Sequence, residues 1–412
     1  MKTLIKLFLG LSGLLVVVLI AVVITVASLD PNEHKDWISE KALEHSGREL
    51  IVGGDIDVTY YPWLGVEAND ITLGNAPGFG EEPFLHADYL KIRIKLMPML
   101  KDQYEVDTVS IRGAVINLAR NKEGVNNWDD LLEQEKSDEP TAFPLAAVVL
   151  GGVDIQKASL NWLDASTDTY YKIRNMDIKT DALIYGEPLK LDLGLDIETN
   201  KPALSGNVRL NGTIAYDIDN QLYNIKPLTL AANIKGENIP GGETRAMFSA
   251  VIEVNLDDDT ATISELRLDA LDTQVVGSLS ASRIQTPGPS IQANIEVNGT
   301  DLAQLFKVAE IEPLASKIAK HSDRSFTLNT SLDADLERGD IDVSGLALAM
   351  LGATVQGDVK ATNILSETPG FKGQLKAAGP DLPTLLQVLG QFQGGSESAL
   401  SKYGLTFARG KH

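Results

Sequence analysis

Residues 260–299 read TATISELRLDALDTQVVGSLSASRIQTPGPSIQANIEVNG, and residues 340–379 read DIDVSGLALAMLGATVQGDVKATNILSETPGFKGQLKAAG. Laid over each other at an offset of 80 residues, without a gap, they share one pattern. Leu266 and Leu268 fall on Leu346 and Leu348, while Val275, Gly277 and Leu279 fall on Val355, Gly357 and Val359. Ile291, Ala293, Ile295 and Val297 fall on Phe371, Gly373, Leu375 and Ala377. The correspondence extends to Ile252–Ala309 over Leu332–Leu389, with Asp301-Leu302 on Asp381-Leu382 and Leu305 on Leu385. Fixed-period self-similarity marks a fold that grows by adding units. Each unit reads as about four strands followed by a helix. By the same offset, Leu405-Thr406-Phe407 is expected to open the first strand of an incomplete further unit.

The period inside each unit is 2. In Ser264–Ala270, Leu266, Leu268 and Ala270 point one way, and Glu265, Arg267 and Asp269 the other. Phe371, Gly373, Leu375 and Ala377 alternate in the same sense with Lys372, Gln374 and Lys376. One face of the sheet is therefore apolar over many strands and the other charged. A sandwich, in which two such faces bury each other, gives the same alternation as an open sheet curled into a trough. Many inward positions are small (Ala270, Gly277, Ala281, Ala293, Gly357, Ala361, Gly373). Small residues leave room for a guest or sharpen curvature, which weighs towards the trough. Its expected lining is Leu266, Leu268, Val275, Leu279, Ile291, Ile295, Val297, Leu346, Leu348, Val355, Val359, Phe371 and Leu375.

Working back towards the N-terminus, residues 145–251 are β-rich, with strands of about 8–10 residues such as Leu189–Glu198 and Leu204–Asn211. Residues 133–144 read as a polar linker. Residues 30–132 form an expected N-terminal α+β domain. Asp30-Pro31-Asn32-Glu33 reads as a helix start, with Gly47 placed to end that helix. Beyond it the period shifts to 2, punctuated by Gly53-Gly54, Pro62 and Pro77-Gly78. Asn126-Asn127 are placed to cap a short helix containing Trp128 and Leu131, and both Trp63 and Trp128 are expected in the core. The repeat units are then 252–331 and 332–400, followed by the start of a further one at 401–412.

Residues 7–29 carry no charge and are dominated by Leu, Val and Ile. At about 1.5 Å per helical residue they are long enough to cross a bilayer core of roughly 30 Å. A cleaved signal peptide has a shorter apolar run, so length favours an uncleaved transmembrane helix. Lys2 and Lys6 precede the run, and Asp30, Glu33 and Asp36 follow it. The positive-inside rule then leaves residues 1–6 in the cytoplasm and exports the rest.

Composition excludes several classes of function. Cysteine is absent, which removes disulfides, Cys-based zinc sites and thiol catalysis. The net charge of −21 argues against nucleic acid. Any lipid contact must likewise be apolar rather than electrostatic. His34, His45, His86, His321 and His412 show no metal-ligand spacing, and no nucleotide loop or nucleophile elbow occurs. The acidic clusters Asp257-Asp258-Asp259 and Asp333, Asp335, Glu337 and Asp340 lack calcium-loop spacing and align with each other across the repeat. They read as solvated hairpin turns, as do Asp217, Asp219 and Asn220. No enzyme, cofactor or metal is expected.

One segment also carries a specific pattern. Gly47-Arg48, Gly54, Pro62-Trp63-Leu64-Gly65 and Asn75-Ala76-Pro77-Gly78-Phe79 follow one another in order. Pro98 with Leu100, Leu118-Ala119-Arg120 and Gly124-Val125-Asn126-Asn127-Trp128-Asp129-Asp130-Leu131 continue it. In order and spacing this resembles the opening of AsmA-family proteins, which are anchored in the inner membrane of diderm bacteria and lie in the periplasm. The resemblance implies a mostly β chain with a few helices, in which a transmembrane helix precedes a long repetitive antiparallel sheet curled into a trough. It implies a role in outer-membrane biogenesis, with phospholipids, the inner membrane and the outer-membrane assembly machinery as partners. The expected activity is binding or conducting phospholipid acyl chains along the trough. The alternative is a non-transporting factor that modulates outer-membrane protein assembly through protein contacts. Family members are usually longer, which puts a complete bridge between membranes in doubt.

Overall fold

The computed structural model describes residues 30–134, 148–379 and 405–409, apart from Leu100, Asp102, Tyr185, Ile218, Asn238, Ala309, Glu310, Glu367 and Thr368. The expected cytoplasmic segment 1–6, the transmembrane helix 7–29, most of the linker and the end of the second repeat unit lie outside these residues. No helix among the described residues is long and apolar enough to cross a membrane. The chain is mostly β with a few short helices, and it divides into two compact units between Arg209 and Leu210.

The first unit opens as its sequence requires. Asp30 accepts the backbone N–H of Asn32, Pro31 starts a 3-10 turn, and the helix Lys35–Ser46 ends at Gly47, whose φ is 67°. Glycine is favoured there because a left-handed C-terminal residue carries no Cβ penalty. The helix packs Ile38 and Ala42 on an antiparallel sheet of β1 (Leu50–Val52), β2 (Ile56–Thr59), β3 (Trp63–Leu73) and β4 (Leu85–Lys95). Next come β5 (Tyr104–Val106), β6 (Val109–Arg112) and β7 (Val115–Arg120), all paired with β4.

The sheet then departs from an all-antiparallel expectation. β8 (Val148–Leu150) runs parallel to β5, and β9 (Val153–Asp164) runs parallel to β6 and β7. Parallel neighbours need a crossover connection. The helix Asp129–Gln134 lies in the one that follows β7. Trp128 therefore precedes that helix rather than lying in it, and Glu133 and Gln134 belong to it rather than to a linker. Antiparallel pairing resumes with β10 (Thr169–Thr180) and β11 (Leu189–Asn200). The unit boundary falls within β12 (Ala203–Asp217), whose 15 residues exceed the expected strand length.

The two tryptophans have different fates. Trp128 is 7 % exposed within the core cluster and stacks, tilted, 5.1 Å from Trp162. Trp63 is only half-buried, with Arg93 and Lys95 over its ring at 5.9 and 5.8 Å, so its expected core placement is corrected. It starts β3 directly after the exposed Tyr60, Tyr61 and Pro62, where nothing in the core cluster reaches.

In the second unit β13 (Leu222–Gly236), β14 (Glu243–Asn255), β15 (Thr260–Ala270), β16 (Thr273–Ser282) and β17 (Ser290–Gly299) form an antiparallel ladder. Two helices, Leu302–Val308 and Glu312–Ile318, lead to β18 (Phe326–Asp335), which pairs antiparallel with β17. The ladder continues through β19 (Asp340–Met350), β20 (Ala353–Thr362) and β21 (Gly370–Ala378). β15 and β16 recur as β19 and β20 at the 80-residue offset, to the residue. The turns recur with them. Asp259 and Gly339, Leu271 and Leu351, and Arg283 and Asn363 all have positive φ. β22 (Leu405–Arg409) runs parallel to β21, so it is not the counterpart of β18, as the repeat alone would have it.

Candidate functional site

Cross-strand partners share a face of a sheet, and the register of the second unit assembles the alternating residues into continuous rows. One row takes a residue from each of β13 to β21: Leu230, Phe248, Leu268, Val275, Val297, Leu328, Leu348, Val355 and Ala377. The next is Ile225, Ile252, Ile263, Leu279, Ala293, Leu332, Val343, Val359 and Gly373. Ile291 and Phe371 stand in a third row with Ala261, Ala281, Ala334, Ile341 and Ala361. Leu266 pairs Gly277, which pairs Ile295; Leu346 pairs Gly357, which pairs Leu375. All the expected lining residues thus share one face. The opposite face is polar along an equivalent row: Glu253, Thr262, Ser280, Gln292, Asp333, Asp342, Lys360 and Lys372.

Burial along this face is uneven. At one end Leu302, Ala303 and Ile318 of the two helices pack on Phe326, Met350, Leu351, Ala353 and Val355. Asp301 caps the first helix by accepting the N–H of Ala303, and Arg324 pairs with the same carboxylate at 3.2 Å. Away from the helices the buried members of these rows are alanines, namely Ala293, Ala334 and Ala361. Of the expected lining, only Val355 is buried, at 3 % exposure; the rest are half-buried. The core of a closed sandwich would bury its Leu and Ile side chains, because that burial drives the packing.

A line of backbone irregularities crosses the same face. β13, β15 and β19 each carry an extra residue, between Ile225 and Leu228, Ile263 and Leu266, and Val343 and Leu346. Glu265 and Gly345 stand in these last two bulges with φ of 53° and 61°. In β16 and β20 the line passes through Gly277 and Gly357. A Cβ there would sit 2.1 Å from the carbonyl oxygen of Asn294 and 1.9 Å from that of Gln374. Bulges bend their strand and glycines admit close backbone approach. Together they crease the sheet parallel to the apolar rows.

The rows were only partly expected. Phe248, Leu328 and Leu332 also belong to the face; around Phe248 the exposed apolar Met247 blurs the alternation. Asp257, Asp258, Asp259 and Glu337 are turn residues, whereas Asp333 and Asp335 lie in β18 and Asp340 opens β19. Asp335 accepts the N–H groups of Glu337 and Arg338, and Asp258 donates its own N–H to Asn255. The bond from Arg338 N–H outweighs the cost of burial and, with Arg283, holds the Asp335 carboxyl below its ordinary value. Among the described residues no group of three or more His, Asp or Glu side chains could hold a metal ion.

In the first unit, Arg48, Asn75, Ala119, Asn127 and Asp130 of the ordered sequence pattern converge on one clasp. Arg48 is 2 % exposed, lies 4.6 Å over the ring of Phe84, and donates to both oxygens of Asp130 and to the carbonyl of Asn127. Asn127, fully buried, donates to Asn75 Oδ1 and the Asn117 carbonyl and accepts the N–H of Ala119. Comparison with known proteins matches residues 1–307 to the model of the AsmA family. The chain belongs to the AsmA family. Its relatives include Protein AsmA of Escherichia coli (strain K12), 29 % identical over 116 residues, which are 28 % of this chain and 18 % of that protein. AsmA family protein YhjG of the same organism is 22 % identical over 275 residues, 60 % of this chain and 38 % of its own length. The chain thus matches well under half of either relative. No solved structure matches it. The clasp is the part of the AsmA pattern that builds the domain, whereas the apolar face belongs to the repeat.

Proposed function

We propose that this AsmA-family chain is anchored in the inner membrane by residues 7–29, lies in the periplasm, and serves outer-membrane biogenesis by carrying phospholipid acyl chains. The carrying surface is the apolar face of β13–β21. The observation behind this reading is the row from Leu230 to Ala377, apolar at every strand and left half-buried over most of its course. At about 4.8 Å per strand the row runs roughly 38 Å. A bilayer leaflet is only about 15 Å of hydrocarbon deep, so the row exceeds one extended acyl chain. The crease beside it is what curls a flat sheet into a trough. The charged outer face and the net charge of −21 leave apolar contact as the attraction for lipid.

The test compares organic extracts of the detergent-purified chain by mass spectrometry, with photo-crosslinkers placed on each face. Phospholipid should co-purify and be captured from positions 268 and 348 but not from 267 and 360. Equal capture from both faces, or no lipid at all, would overturn the proposal. An assembly-machinery protein crosslinked without lipid would favour action through protein contacts instead.

A further inference from the structure

The first unit exposes apolar side chains at one end. Tyr61 is 74 % exposed, Met97 54 % and Tyr60 49 %, and Trp63 stands half-buried beside them under Arg93 and Lys95. The backbone brings them together. Trp63 pairs with Lys95 across β3 and β4, and Leu96 N–H donates to the carbonyl of Pro62. A soluble protein normally keeps such residues scattered. Tyr and Trp next to Lys and Arg is instead the composition of a membrane–water boundary.

The position of the first helix supplies a second, independent observation. Its C-terminal end leads into Leu50, which pairs with Leu73 at the far end of β3. Its N-terminal end sits lower. Asn32 exchanges hydrogen bonds with the backbone of Ile56, which pairs with Ala68, and Lys35 Nζ donates to the carbonyl of Gly54. Followed backwards along the chain, the helix therefore moves along β3 from Leu73 towards Trp63. Asp30, directly after the uncharged run 7–29, is thus reached about midway along β3, with the chain heading towards the end that carries Tyr60 and Tyr61. The remaining stretch of β3 from Ala68 to Trp63 is about 17 Å at strand rise.

We infer that the Tyr60-Tyr61-Pro62 turn, with Met97, is a membrane-interface foot that seats the first unit in the headgroup layer of the bilayer its anchor crosses. The inference rests on the anchored topology proposed above but not on lipid binding by the apolar face. Its occupant is the bilayer surface. The phenolic rings and the thioether enter the boundary while the ion pairs Arg93–Asp107 and Lys95–Glu105 stay at headgroup level. One foot and one spanning helix together fix how the unit stands on the membrane, which a helix alone does not.

The natural absence of cysteine makes the test direct. Full-length chain carrying Tyr61→Cys, Met97→Cys or Glu123→Cys is labelled with a polarity-sensitive fluorophore. It is then reconstituted into vesicles of phosphatidylethanolamine and phosphatidylglycerol. Glu123 is exposed on the turn after β7, whose residues 115 and 116 pair with the opposite end of β4, so it reports the far side. Labels at 61 and 97 should be blue-shifted, at least several-fold less accessible to iodide than the label at 123, and quenched by nitroxide lipid. All three positions are exposed, and unchanged thermal melting confirms that each variant folds. Labels at 61 and 97 as open to iodide as the one at 123 overturn the foot while leaving the anchor standing. A chain that fails to stay with the vesicles overturns both.

Discussion

At the scale of single residues, burial separates side chains that the sequence makes look alike. Trp128 lies in the core cluster against Trp162, so Trp128→Ala should cost on the order of 3–5 kcal/mol in urea unfolding. Trp63→Ala, at a half-buried ring under two cations, should cost about 1 kcal/mol or less. Equal losses would contradict the assignment. Arg48 is a harsher case, because its side chain is fully shielded while Asp130 supplies its charge partner. Asp130→Ala leaves that guanidinium uncompensated and should cost about 3–5 kcal/mol. Replacing Arg48 and Asp130 together by Met and Leu should cost less than Asp130→Ala alone, which a double-mutant cycle reads directly. The turn carboxylate of Asp335 adds a pH signature. Its value is lowered on folding, so its contribution is present above the unfolded-state value and fades as pH falls below roughly 4. Asp335→Asn should remove that part of the acid sensitivity.

At the scale of elements, the repeat was legible because both of its signals are local. Alternation with period 2 gave the face of each strand, and the 80-residue offset gave equivalent strands whose ends agree to the residue in β15 and β19. Both bulge residues, Glu265 and Gly345, also sit at the same offset. What was not legible depends on distant contacts. The parallel pairing of β9 with β6 and β7 carries no mark in the strands themselves, since parallel and antiparallel strands share one period. The parallel seating of β22 escaped for the same reason. Nor can a repeat show which of two equivalent positions a helix covers. Val275 and Val355 are sequence counterparts, yet Val275 is half-buried and Val355 is packed with Leu302 and Ile318. Val355→Asp should therefore cost more than about 3 kcal/mol, because a charge there meets neither water nor a partner. Val275→Asp should leave thermal melting near normal and reduce co-purified lipid. If the two variants lost equal stability, the open face would be a closed core.

At the scale of the whole molecule, every proposed role depends on where the chain sits, and residues 7–29 decide that. A signal peptide would be cut after a short apolar run and release a soluble product, whereas this run is long enough to span a bilayer. On the proposed topology the charges flanking it, Lys2 and Lys6 before and Asp30, Glu33 and Asp36 after, would orient it with the N-terminus inside. Three outcomes follow together. A reporter that is active only in the periplasm, joined after Leu204, should be active. The full chain should remain with membranes washed at high salt, since a spanning helix is held by apolar burial that salt does not screen. N-terminal sequencing of the membrane-bound protein should start within residues 1–6. A processed, salt-extractable product would remove the anchor, and with it the foot at Tyr61. A retained chain with an inactive reporter would invert the topology and place the apolar rows in the cytoplasm, where outer-membrane biogenesis could not use them. Only retention, an intact N-terminus and an active reporter, obtained together, bring the creased apolar sheet into the compartment between the two membranes.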